Sequence, residues 1–81
     1  MMEITVEISY YPLKDNYLAP VEHFIQELKE KPGITVQPGT MSTLITGSYE
    51  EVMELLHRKL KHFMEKYPSV FTLKISNVCK A

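Results

Sequence analysis

The chain has one cysteine, one arginine, three glycines and no long uninterrupted apolar run. Each scarcity excludes something. A lone Cys79 cannot close an internal disulfide, so a small fold stapled by disulfides is ruled out. No stretch approaches the roughly 20 apolar residues that a membrane helix requires, and no membrane partner is expected. The first residues, Met1-Met2-Glu3-Ile4, lack the basic segment and apolar run of a secretory signal, and a reducing cytosol is the expected location. Nine Lys and Arg against ten Asp and Glu leave a formal charge of −1. Nucleic acid, which is held by concentrated positive charge, is therefore not an expected partner.

What remains is an ordinary globular composition, 44% hydrophobic and 23% charged over 81 residues, enough for one domain spanning 1–81. A core this small gains from oligomerisation. No repeats, linkers or low-complexity tracts interrupt it.

Periodicity supplies the elements. Ile4, Val6, Ile8 and Tyr10 alternate with Glu3, Thr5, Glu7 and Ser9, which reads as a half-buried strand ended by Tyr11-Pro12. Pro20 suits the first turn of a helix whose apolar stripe is Val21, Phe24, Ile25 and Leu28, with Glu22, Glu27, Lys29 and Glu30 toward water. Pro32-Gly33 stops that helix. Ile34–Gln37 and Met41–Gly47 follow as an antiparallel hairpin around Pro38-Gly39. Ser48 and Glu51 form a Ser-x-x-Glu capping box ahead of a second stripe, Val52, Leu55, Leu56, Leu60, Phe63 and Tyr67. Val70–Val78 alternates again, with Phe71, Leu73 and Ile75 inward.

The order strand, helix, strand, strand, helix, strand implies an α+β, ferredoxin-like βαββαβ domain. Its two helices cover one face of a four-stranded antiparallel sheet whose central strands are the first and third. The opposite face carries Thr5, Glu7, Ser9, Thr35, Gln37, Thr72, Lys74 and Ser76, and no third helix exists to cover it. Water or a second subunit must meet it.

Catalytic constellations do not emerge. The loop after the first strand, Pro12 to Asn16, lacks the arginine an acylphosphatase site needs, since Arg58 lies in the second helix. The third strand has no aromatic on which an RNA-recognition module would stack bases. His23, His57 and His62 lack the spacing of a zinc helix, and no base is placed beside Ser42, Ser48 or Ser76. Cys79 reads as an inert, partly buried thiol. No enzymatic activity, metal or cofactor is expected.

Two segments carry a resemblance: Ile8-Ser9-Tyr10-Tyr11-Pro12-Leu13, closing the first strand, and Met41-Ser42-Thr43-Leu44-Ile45-Thr46-Gly47, forming the third. They resemble the thiamine-binding YkoF-like family, and the ending Ile75-Ser76-Asn77-Val78-Cys79 is similar to that family's final strand. The resemblance implies a cytosolic, non-enzymatic binder of thiamine or its hydroxymethylpyrimidine moiety, built from ferredoxin-like domains that pack in pairs or fours. With one domain in this chain, pairing would come from further copies, as a homodimer or homotetramer through the exposed sheet face. Carried over residue by residue, it implies hydrogen-bonding or stacking roles around the pyrimidine for Ser9, Tyr11, Ser42, Thr43 and Asn77. Asp15 and Glu7 would offset the ligand's positive charge. Another class of function stays open at this point: a self-assembly or protein-docking module of the same fold with no small-molecule ligand.

Overall fold

The structure is a computed structural model and describes residues 2–78; Cys79 and the reading of it as a partly buried thiol lie outside the described residues. Strand β1 spans Glu3–Pro12, helix α1 Leu18–Leu28, β2 Thr35–Pro38, β3 Thr43–Ser48, helix α2 Tyr49–Lys66 and β4 Ser69–Ser76. The expected βαββαβ order is present, as an α+β ferredoxin-like fold. The strands form one antiparallel sheet in the order β2-β3-β1-β4, with β1 and β3 central.

The core follows from the alternation in β1. Ile4, Val6 and Ile8 are buried on the helix-facing side, where they meet Ile45 from β3, Phe24 and Leu28 from α1, and Val52, Leu55, Leu56 and Phe63 from α2. At one end this core becomes aromatic. Tyr10 stacks on Phe71 at 4.3 Å between ring centroids, and Phe24 and Phe63 meet edge to face at 5.2 Å.

Local signals end the elements as their chemistry requires. The Ser48 hydroxyl accepts the Glu51 backbone N–H and donates to the Glu51 carboxylate, both at 3.3 Å, so the cap forms at the junction of β3 and α2. Gly33 takes φ +91°, the left-handed conformation needed after α1. Pro38 occupies the last position of the edge strand β2, where a missing N–H is tolerated.

Several expectations need correction. Strand β4 ends at Ser76, whose hydroxyl accepts the Val78 N–H at 3.0 Å, and does not run on to Val78. Ile75 lies on the helix-facing side but is 49% exposed, because β4 is an edge strand with no neighbour on its outer side. In α2 the stripe also includes Lys59, which is buried between Leu56 and Phe63, while Leu60 is half-buried against the core and Tyr67 is a half-buried C-cap. Lys59 is only 8% exposed, and its Nζ reaches Glu30 at 2.8 Å and Glu27 at 3.0 Å on α1. Glu27 and Glu30 therefore face the other helix as well as water. Arg58 extends the network to Glu30 at 3.1 Å and Glu54 at 2.7 Å, and His23 meets Glu27 at 2.9 Å.

The hydrogen bond from Lys59 holds the Glu27 and Glu30 carboxyls below the ordinary glutamate value, and Glu30 in turn raises the Lys59 ammonium above its own. Because both carboxyls titrate lower when folded, their stabilisation is complete above the unfolded value of 4.5 and is lost as pH falls through the folded values. Urea midpoints should accordingly fall between pH 5 and pH 3, and Lys59→Met should flatten that acid limb. An unchanged limb in the variant would show that other carboxylates cause it. Ser48→Ala should cost about 1 kcal/mol in the same urea titrations at neutral pH.

Candidate functional site

The two ladders of β1 differ in length. With β4, pairing continues to Pro12 opposite Ser69, whereas with β3 it stops at Ile8 opposite Thr43. Beyond Ile8 the β2–β3 loop turns away, closed by a hydrogen bond from the Gly39 N–H to the Ser42 carbonyl at 2.8 Å. A cleft of about 610 Å³ opens there. Its floor is the end of β1, one wall is the loop from Gly39 to Ser42, and the other is the first two turns of α1. That volume lies within the ordinary range for small-molecule pockets.

The resemblance placed four residues that do converge. Ser9, Tyr11, Ser42 and Thr43 all line the cleft. The Ser9 hydroxyl donates to the Met41 carbonyl at 3.3 Å, tying β1 to the loop. The Ser42 hydroxyl donates to Glu7 Oε2 at 2.9 Å. Thr43 is buried, on the helix-facing side with Ile8. Tyr11 is 53% exposed and stands on the uncovered sheet face beside Val70.

The other three residues lie elsewhere. Glu7 is behind Ser42 on the uncovered face, with Lys74 Nζ at 3.7 Å, and does not line the cleft. Asp15 is exposed in the β1–α1 loop, outside the lining. Asn77 follows β4, whose last residue pairs with Thr5, so it sits at the opposite end of the sheet. Strand rise puts it on the order of 15 Å from Ser9.

Sequence reasoning missed the α1 wall. Tyr17, Leu18, Val21 and Ile25 line the cleft, and Phe24 and Tyr10 bring the aromatic end of the core to it. The bulky pair Tyr17-Leu18, which forms the N-cap and first residue of α1 and is exposed there, was the signal that could have been weighed. No residue lining the cleft is charged, whereas it offers the rings of Tyr11 and Tyr17 and the hydroxyls of Ser9, Thr40, Ser42 and Thr43. Among the described residues, no group of three or more His, Cys, Asp or Glu is arranged to hold a metal ion.

Solved structures share this architecture. A Thermotoga maritima protein, assigned provisionally to thiamine biosynthesis or salvage, superposes with a TM-score of 0.81 at 19% identity, covering 91% of this chain and 82% of that one. A Streptococcus pneumoniae protein gives 0.85 at 20% identity, over 98% and 89% of the two chains. A Bacillus cereus domain of unknown function gives 0.73 at 16%, over 93% and 75%. This likeness is one of fold. No family model matches the chain, and no curated protein is significantly similar to it in sequence.

The Gly39 position tests the loop wall. A Cβ there would stand 2.9 Å from the Ser42 carbonyl oxygen, a backbone atom that cannot swing aside. Gly39→Ala should therefore displace the loop. Amide chemical shifts should change at residues 8–12 and 37–43, while those of α2 stay in place; changes spread through α2 would show that the loop is not an independent wall.

Proposed function

We propose that this protein binds thiamine or its hydroxymethylpyrimidine moiety without transforming it, as a small homo-oligomer in the cytoplasm and with no cofactor of its own. The observation that carries the reading is the lining of the cleft: aromatic and aliphatic faces with a few hydroxyls and no charge. Such a surface suits a flat, neutral heteroaromatic ring, which stacks on tyrosines and exchanges hydrogen bonds at its edge. The kinship in fold to the Thermotoga maritima protein points the same way.

Charge decides between forms of the ligand. The thiazolium of thiamine can be met by the faces of Tyr11 or Tyr17 at the mouth of the cleft and, across Ser42, by the Glu7 carboxylate. A diphosphate finds no cation in the lining and would lose hydration without recovering it. The unphosphorylated forms are the better ligands on this account.

What supports a homo-oligomer is the uncovered sheet face, where Tyr11, Leu44 and Val70 stand exposed among Thr5, Glu7, Ser9, Thr72 and Lys74. Burying such apolar groups against a second copy removes them from water, at roughly 25 cal/mol per Å². Leu44→Glu should shift the sedimentation profile toward monomer.

Calorimetric titration of the sized protein with thiamine, hydroxymethylpyrimidine and thiamine diphosphate tests the binding reading. Saturable binding of the first two, weakened about tenfold or more by Ser42→Ala or Tyr11→Ala and absent or weaker for the diphosphate, is the expected result. Flat titrations with folded, assembled protein would overturn it and leave a self-assembly module as the better account of the uncovered face.

A further inference from the structure

The parity of hydrogen bonding in β1 identifies a group at the cleft that no side-chain motif reveals. Leu13 donates its N–H to the Pro68 carbonyl at 2.8 Å, one step past the Pro12–Ser69 pair, so the odd-numbered residues of β1 turn their backbone groups toward β4. At the other end Tyr49 donates to the Met2 carbonyl at 2.9 Å, one step past the Glu3–Ser48 pair. The even-numbered residues therefore turn theirs toward β3. Ile4, Val6 and Ile8 face Gly47, Ile45 and Thr43 in this way.

Tyr10 is the next even residue, and its ladder position has been vacated. Continuing the register would bring Met41 opposite it, but the β1–β3 ladder stops at Ile8 and the Met41 carbonyl takes the Ser9 hydroxyl proton. Met41 itself is 86% exposed, splayed away from the strand. Among the described residues, no backbone or side-chain hydrogen bond engages the Tyr10 N–H or C=O, and Tyr10 lines the cleft. Backbone groups left without a partner beside apolar walls are costly, and a ligand that satisfies them binds with a matching gain. Pro12, the following even residue, has no N–H and offers only a carbonyl.

We infer that the peptide edge of Tyr10, one N–H and one C=O side by side, is the recognition element of the cleft, and that it selects a flat heteroaromatic ring bearing a ring nitrogen next to an exocyclic amine. The ring nitrogen accepts the Tyr10 N–H and the amine donates to the Tyr10 carbonyl, replacing the strand that is missing there. The Tyr10 side chain cannot compete for this role, because it is stacked on Phe71 in the core. The Ser42 hydroxyl adds to the selection: its proton is directed to Glu7, which leaves its oxygen to accept a hydrogen bond from the ligand. This inference rests on the proposed function and deepens it, since an aminopyrimidine has that edge.

Backbone chemistry is testable in a chain short enough to assemble by ligation. Replacing the Tyr10 amide N–H by an ester oxygen removes no ladder donor and only weakens the Ser9 carbonyl as an acceptor toward β4, so it should lower the thermal midpoint less than the same replacement at Ile8, and it should weaken hydroxymethylpyrimidine binding about tenfold or more. In the unmodified protein the Tyr10 amide should exchange with solvent faster than that of Ile8 and become protected when hydroxymethylpyrimidine saturates the site. The analogue lacking the exocyclic amine should bind about tenfold more weakly or worse. Binding of hydroxymethylpyrimidine with an unprotected Tyr10 amide and a neutral Tyr10 ester would overturn this inference while leaving the proposed function intact. Failure of folded protein to bind any of these probes would overturn both.

Discussion

The structure depends on β1 being hydrogen-bonded on both edges while buried on one face only. Its alternation of Ile4, Val6 and Ile8 with Thr5, Glu7 and Ser9 commits one side of the sheet to the helices and leaves the other to solvent or a second copy. A slip of one residue would exchange those faces, so the register with β3 and β4 is strongly specified. The same strand outruns β3 by four residues while β4 follows it to its end. The core and the cleft are thus two consequences of one strand, the first arising where both ladders are complete and the second where one is missing.

The fold was legible because each signal had a local cause. The period-two pattern of β1, the Ser48–Glu51 cap and the Pro32-Gly33 stop need no tertiary information. Lys59 was left out of the α2 stripe for an instructive reason. The buried set Val52, Leu55, Leu56, Lys59 and Phe63 keeps the helical spacing i, i+3, i+4, i+7, i+11, so periodicity alone indicates position 59. Hydrophobicity favoured Leu60 next to it. What resolves the conflict is the pair Glu27 and Glu30 on α1, which lets a lysine stem lie in the apolar stripe with its ammonium satisfied. That pairing spans two helices and cannot be seen in either.

The candidate site was half legible. Ser9, Tyr11, Ser42 and Thr43 came from segments that the topology brings to one end of the sheet, and there they meet. Asn77 did not, although the topology already excluded it. Strands β1 and β4 are antiparallel, so the end of β4 lies beside the beginning of β1, far from Ser9. A resemblance conveys residue types; strand direction decides whether they can share a ligand. The α1 wall was missed for another reason, since Val21, Phe24 and Ile25 read only as a core-facing stripe. A stripe that lines a cleft and one that fills a core have the same sequence.

The distribution of charge around the cleft gives the site its direction. Glu7 and Lys74 face each other on the uncovered sheet surface, one layer behind the lining, and Glu7 reaches the cleft only through the Ser42 hydroxyl. A carboxylate acting through a serine fixes which way that hydroxyl points while keeping its own hydration, and so avoids the desolvation it would suffer in the lining. A second copy packed on the uncovered face would cover Glu7 and strip part of that hydration, strengthening its hold on the Ser42 proton as the local dielectric falls. Ser42 would then be a stricter acceptor in the oligomer than in the free chain, and the selectivity of the cleft would depend on the state of the sheet face behind it.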